Sequence, residues 1–464
     1  FWLKEVVSSL LFNQRPFAYS VLLAMTDSDG TAAAWAKYSL LEKMTPYLDR
    51  HLVVPILQFV QETGIYAPDD VTRAEVAVLS DTKMIDLMVE KRKSINEEDD
   101  SDETAERRKD IIRDMEESRP RFTDLFVVLE SEQDISRLRT LKSIPDICAE
   151  FNFAPDIFDR AVEYAKLHYD TGNYSVTKEV LKHYRSIMAQ DPEKQPSTSS
   201  AWGYLASSIL GGDYDDGADI IEEIDQHLSE AAKLTKREVL LQRTWLLHWS
   251  LFCLFKGPTP PSKLDGFLLN HINLSIISLS CGHLFRYVGA CLILVKKLKR
   301  EVLQDTVQIL ANETATYSDP VTRFLLALYV DMDFDEAQRE LKECKLVCKG
   351  DYFLADHWED FEENARLLVF ETYCRVHQCI NIEMIATRLN MEAEEAELWI
   401  VKLIQNAKLD ARIDSEKSRV VMSKAPPSVY QQVIERTKNL SFRSTMLLSN
   451  LEENASKDKA KRGT

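Results

Sequence analysis

The sequence predicts an all-α fold: a helical-repeat solenoid that ends in a winged-helix module with a small β-hairpin, followed by a long C-terminal helix. Three observations carry that expectation. Only 13 Gly and 15 Pro occur in 464 residues, and Leu, Ala, Glu and Lys fill most windows, the composition of a mostly helical chain. Three segments around Tyr174, Tyr214 and Phe334 share one plan, spaced by 40 and 120 residues. The stretch NIEMIATRLNMEAEEAELWIVKLIQNAKLDARIDSEKSRVVM, residues 381–422, reads as two short helices and then a hairpin.

Residues 1–43 are rather apolar, but Asn13, Gln14, Arg15 and Pro16 interrupt the run that a signal peptide needs. They read either as an extension ahead of Met44 or as a gene-model artefact, and no function is placed there. Over 44–93 the apolar residues keep helical spacing: Leu52, Pro55, Ile56 and Phe59 share a face, and Val78, Ile85 and Met88 follow. An acidic loop is expected over 94–104, with Ser101 capping the next helix and Asp102 and Glu103 in its first turn. Such a charge run is a solvated approach to a helix rather than a buried element.

Helical repeats are expected over 105–238. Each of the three related segments is a helix, a tight Gly/Asp turn, an aromatic and a second helix, the plan of paired-helix solenoids. Breaks at 190–200 and 256–263 are loops between helices. A further helical region, 239–365, leads to FEENARLLVFETYCRVHQ (361–378), with Leu367, Leu368, Tyr373 and Val376 among its apolar positions. In the winged helix (366–424), Ile382, Ile385, Ala386 and Leu389 form one stripe, and Ala396, Trp399, Ile400 and Leu403 form another. Leu409, Ala411 and Ile413 then alternate into a strand, SEKS turns, and RVVM returns. In the C-terminal region (425–464), a Ser428/Gln431 capping box opens a helix. Its residues Tyr430, Val433, Thr437, Leu440, Ser444, Leu447 and Leu451 recur at alternating spacings of three and four, a heptad seam. That seam either joins a multi-helix bundle or folds back on its own winged helix.

The formal net charge is −18, a surface that repels polyanions and favours protein partners. The winged helix agrees. Glu392, Glu394, Glu395 and Glu397 crowd the position where a DNA reader places cations, and only Lys417 and Arg419 stand at the wing tip. An edge at Arg419, Val420, Val421 and Met422 is expected either to accept a strand from a neighbour or to be covered by the chain's own segments. No specific DNA binding is expected. The eight Cys are scattered, which points to reduced thiols in the cytosol or nucleus. CRVHQC (374–379), with Cys344 and Cys348, lacks the paired-knuckle geometry of zinc. KKLKR (296–300) is either a solvated face or a site for RNA or importins. No phosphate loop, catalytic constellation, cofactor site, metal site or membrane span is read, so an enzyme is not expected.

A solenoid running into a winged helix resembles the PCI-domain family, shared by the proteasome lid, the COP9 signalosome and initiation factor 3. Within it the chain resembles the e-subunit (Int6-type) family of eukaryotic translation initiation factor 3. The carrying stretches are DRHLVVPILQF (49–59), LSDTKMIDLMVE (79–90), YAKLHYDTGNYS (164–175), LQRTWLLHWSLF (241–252), YSDPVTRFLLALYVDMDFDEAQRELKECK (317–345), residues 361–422 and YQQVIERTKNLSFRS (430–444). The resemblance covers about residues 46–452; 97–103 and 257–316 depart from the pattern, although CGHLFRY (281–287) keeps a trace. It implies a non-catalytic scaffold in translation initiation, cytoplasmic, with a nuclear location left open. The implied partners are other initiation factor 3 subunits (PCI and MPN proteins and the d subunit), the small ribosomal subunit and a cap-binding scaffold protein. By position it implies subunit binding by Arg419–Met422 and by Tyr430, Val433, Leu440, Leu447 and Leu451. Rival readings are a signalosome or proteasome-lid subunit, a winged-helix nucleic-acid-binding regulator and a metalloenzyme.

Overall fold

The computed structural model describes residues 37–64, 66–95, 101–131, 144–151, 153, 157–189, 198–230, 234–257, 265–295, 300–377, 379–381, 398, 401, 411–414, 419–422 and 429–462. The chain divides into two compact units, Phe1–Ala365 and Arg366–Thr464.

In the first unit, Asp49 opens α1 (Arg50–Thr63) by accepting the His51 backbone N–H at 3.2 Å, and Gly64 closes it in the left-handed region. Leu52 and Ile56 are buried as their spacing requires. α2 (Pro68–Ser80) starts with proline at its first position and Asp69 and Asp70 in its first turn. α3 (Ile85–Ser94) buries Ile85 and Met88 and ends on Lys91, Arg92 and Lys93. Both ends of the expected 94–104 loop are helical: Ser94 still belongs to α3, and Ser101 is already the first residue of α4 (Ser101–Glu130). Asp102 and Glu103, the end of the charge run, lie in the first turn of α4 and complement its dipole. Residues 96–100 lie outside the described set.

The repeat region follows as α5 (Ile144–Glu150), α6 (Ile157–Asp170), α7 (Tyr174–Met188), α8 (Thr198–Gly211) and α9 (Tyr214–Glu230). From α6 onward each packs on its successor. α10 (Lys236–Lys256) opens with a reciprocal Thr235/Glu238 capping box and is buried from Gln242 to Phe255. A helix apolar on all sides must lie inside. α11 (His271–Ser280) packs on α10, and α12 (Phe285–Leu294), α13 (Arg300–Asn312), α14 (Pro320–Leu326), a π-helical turn (Ala327–Asp331) and α15 (Phe334–Lys349) follow.

The three repeat aromatics each occupy the first residue of a second helix: Tyr174 in α7, Tyr214 in α9 and Phe334 in α15. Across the first turn, the Tyr174 ring meets Tyr169 edge-on with centroids 5.6 Å apart. Two of the turns are Schellman caps: Asn173 N donates to His168 O at 2.8 Å and Asp213 N to Ser208 O at 2.9 Å. Gly172 (φ 88) and Gly212 (φ 79) supply the left-handed residue. They are not equally replaceable. A Cβ at Gly172 would stand 3.0 Å from Met84 Cε, whereas one at Gly212 would meet nothing within 4 Å. Gly212→Ala is expected to cost about 1–2 kcal/mol for the backbone alone, and Gly172→Ala more. Urea unfolding of both variants checks this; equal losses would show that the end of Met84 simply yields.

Residues 38–47, at the margin of the expected extension, pack into the first unit instead. The Tyr47 carbonyl accepts from Trp249 Nε1 at 3.0 Å, the Tyr38 carbonyl accepts from Arg286 Nη2 at 2.6 Å, and Met44 is buried. Such partners more than 200 residues distant leave no local pattern to read.

α16 (Trp358–Val376) spans the boundary of the units, and the second unit holds a three-stranded antiparallel sheet of β1 (Cys379–Asn381), β2 (Ala411–Asp414) and β3 (Arg419–Met422), in the order β1–β3–β2. The expected hairpin is present: Ala411 pairs with Met422 and Asp414 with Arg419. The two winged-helix helices, their two apolar stripes, the four glutamates and Lys417 lie outside the described residues. α17 (Val429–Arg462) ends the described chain. Among the described residues no helix is long and apolar enough to cross a membrane.

Candidate interaction surfaces

Strand β3 is not an edge. Cys379, Ile380 and Asn381 pair with Val421, Val420 and Arg419 on one side, and β2 pairs along the other. The expectation that Arg419, Val420, Val421 and Met422 accept a neighbour's strand is therefore corrected: their ladder positions are taken within the chain, and Val420 is fully buried. The sequence conceals this because β1 has three residues, too few for alternation to show. Among the described residues, nothing pairs with the outer edges of β1 and β2.

The heptad seam is on the surface. Tyr430 is 82% exposed, Val433 56%, Leu440 63%, Leu447 62% and Leu451 60%. Thr437 Oγ1 donates to the Val433 carbonyl at 2.7 Å, which satisfies its hydroxyl within the helix and softens the polar break in the stripe. All these positions face solvent, so the seam does not pack back on the described residues. Sequence reasoning also passes over Val429, Ile434, Phe442, Met446 and Leu448, all exposed. Phe442 and Met446, four residues apart, form a second apolar pair away from the seam.

Two of the polar clusters inside the first unit are closely packed and closed to a substrate. Arg286 donates from Nε to Asp319 Oδ2 at 2.9 Å and from Nη1 to Asp351 Oδ2 at 3.1 Å, besides its bond to the Tyr38 carbonyl. Tyr287 and Tyr317 donate to the same two carboxylates. Burial works against the guanidinium charge, but Tyr317, Asp319 and Asp351 outweigh it and hold Arg286 protonated. Burial, followed by Asp351, pushes the Tyr287 hydroxyl well up. A cavity of about 50 Å³ beside this cluster, lined by Tyr38, Met44, Ile56, Tyr287, Asp351 and Phe353 among others, has room for water rather than a metabolite.

The second cluster pairs His248 with His283, Nε2 to Nε2 at 2.9 Å. His248 Nδ1 lies 2.7 Å from the Thr244 carbonyl and must donate to it, so His248 Nε2 accepts from His283 Nε2–H. Tyr47 stacks on His248 with centroids 4.4 Å apart. Burial pushes His248 down to about 4; burial, then His248, Lys43 and Arg286, push His283 down to about 3. Folded pKa values below the unfolded value near 6.5 mean that the unfolded chain binds more protons in between. Stability is therefore full above about pH 6.5 and falls as the pH drops toward 4, by on the order of 3 kcal/mol for His248 alone. His283→Gln is expected to flatten that fall in urea titrations between pH 7 and 4.5; parallel curves would refute the assignment.

The metal candidates separate. The Cys374 thiol is buried and pushed up to about 12, chiefly by burial. His377 is exposed with its ring 4.3 Å from that of Tyr373, and Cys379 lies in β1. Cys344 and Cys348 are fully buried, and burial raises both thiols. Among the described residues no group of three or more ligating side chains comes together. Of KKLKR, only Arg300 is described, as the first residue of α13.

Helical repeats, a small sheet and a long helix with an exposed apolar stripe are the architecture expected of a PCI-domain chain. Residues 39–175 match the eIF3 subunit 6 N-terminal domain, 341–424 the PCI domain, and 428–448 the C-terminal region of the E subunit of eukaryotic translation initiation factor 3. The chain is 36% identical over 426 residues to the E subunit of eukaryotic translation initiation factor 3 from Brugia malayi, covering 90% of this chain and 95% of that one. It is 35% identical over 426 residues to that of Caenorhabditis elegans (90% and 97%) and 33% over 430 to that of Arabidopsis thaliana (90% and 97%). The chain belongs to the E-subunit family of eukaryotic translation initiation factor 3.

Proposed function

We propose that the protein is a non-catalytic scaffold subunit of translation initiation factor 3, working in the cytoplasm and joined to its fellow subunits through α17. The observation that carries this reading is the seam of α17, which leaves five apolar side chains more than half exposed along one stripe. A surface of that kind is costly in a solitary protein and normal in an assembling one. The sheet contributes differently from the expectation: the outer edge of β2 (Ala411–Asp414), which pairs with nothing among the described residues, rather than β3, would receive a neighbouring strand. The net charge of −18 disfavours a nucleic-acid reader, and contacts with the d subunit, the small ribosomal subunit and a cap-binding scaffold protein belong to the same reading. Purification of the tagged chain from its own cells, followed by mass spectrometry, is expected to recover the other subunits of initiation factor 3. Recovery of proteasome-lid or signalosome subunits in their place would overturn the proposal.

A further inference from the structure

The third repeat turn differs from its two sisters. Where Gly172 and Gly212 take the left-handed residue, the third turn uses Met332 at φ 54, the sole non-glycine with positive φ among the described residues. It is also one residue wider. Asp333 N reaches back to Ala327 O at 2.9 Å, six positions, where the sister turns span five. The π-helical turn Ala327–Asp331 absorbs the extra residue. The consequence is local: Val330 and Met332 stand 49% and 48% exposed at the tip, alternating in sequence with exposed Asp331, Asp333 and Asp335. Asp333 is committed to the cap of α15, its Oδ1 accepting the N–H groups of Asp335 and Glu336 at 3.0 Å. The turn thus keeps both a strained backbone and an exposed thioether where glycine would avoid the strain.

We propose that the Val330–Met332 tip is a docking knob for a segment of another subunit, one that presents an apolar pocket flanked by Lys or Arg. The chemistry of the rim makes that choice. A polyanion would meet three aspartates, whereas a basic-flanked apolar pocket buries the two side chains and pairs with the rim. Methionine suits such a contact because its flexible, polarizable side chain adapts to irregular pockets. The proposal rests on the subunit reading and adds a second contact point, remote in sequence from α17.

The test is peroxide footprinting of Met332 in the free chain and in the complex purified through a tag on this chain. In the complex, oxidation of Met332 is expected to slow by about tenfold or more, because thioether oxidation follows exposure. Asp331→Lys, on an exposed position at the C-terminal end of the turn, should restore the free-chain rate while the subunit complement is unchanged. Met332→Gly should raise the thermal midpoint of the free chain, yet release the contacting subunit at lower salt; a purely structural turn would not lose binding as it gains stability. A recovered complex in which Met332 oxidises as fast as in the free chain overturns this proposal and leaves the subunit reading intact. A chain recovered without companions overturns both.

Discussion

Replacing Arg286 with methionine is expected to destabilise the first unit by about 3–5 kcal/mol, the usual cost of removing one partner from a buried ion cluster. Methionine approximates the length and volume of the arginine stem, so little of the loss is packing. What remains is two carboxylates, Asp319 and Asp351, which are 1% and 7% exposed and have lost their shared cation. Neither can turn away. Asp319 Oδ1 accepts the Thr322 N–H at 2.9 Å to cap α14, and Asp351 Oδ1 accepts the Phe353 N–H at 3.0 Å. The Tyr38 carbonyl loses its donor as well. Arg286→Lys should lose less but still substantially, because one ammonium cannot span three acceptors that the guanidinium meets from Nε, Nη1 and Nη2. Adding Asp351→Asn to Arg286→Met removes one orphaned charge and should recover part of the deficit. Urea unfolding of the three variants measures the series. A double variant no better than Arg286→Met would show that the lost hydrogen bonds, rather than the orphaned charge, set the cost.

The arginine cluster also marks how far the sequence can be read. Helices such as α1 and α9 are legible because apolar residues recur every three or four positions, and the repeat turns because Gly or Asp precedes an aromatic. The motifs CGHLFRY and YSDPVTRFL stand out as family features, yet their physical link, Arg286 to Asp319, does not. A bond between residues 33 apart, closed by a carbonyl 248 positions away, has no periodic signature. One cue is present: Arg286 is a lone charge inside the apolar run CGHLFRYVGACLIL, and a buried charge demands partners. The misread sheet edge has a similar cause. Alternation distinguishes the faces of a strand, but the flank of a strand is decided by what pairs beside it, here the three residues of β1.

Leu440→Asp combined with Leu447→Asp is expected to release the protein from its complex while both units stay folded. The two leucines sit seven residues apart on the seam, 63% and 62% exposed, so neither contributes to a core that the isolated chain possesses. A surface substitution of this kind ordinarily changes stability by about 0.5 kcal/mol or less, and the thermal midpoint of the free chain should hardly move. In a bundle the same positions lose their water. Each leucine would then contribute about 1.5–3 kcal/mol of burial, and each aspartate would add the cost of burying a carboxylate without a partner. Together these terms exceed about 4 kcal/mol, roughly a thousandfold in affinity, enough to empty a complex at cellular concentrations. Thr437→Asp, one turn before Leu440 on the same stripe, should act in the same direction, because it puts a carboxylate at a seam position whose present hydroxyl is already held by the Val433 carbonyl. Phe442→Asp probes the opposite side of α17 and separates two geometries: a helix enclosed by partners on both sides loses binding there too, whereas one docked by a single face does not. Co-purification of the remaining subunits with each variant, read beside its melting curve, decides among these outcomes. Full assembly of the Leu440/Leu447 double variant would show that α17 does not hold this protein in place.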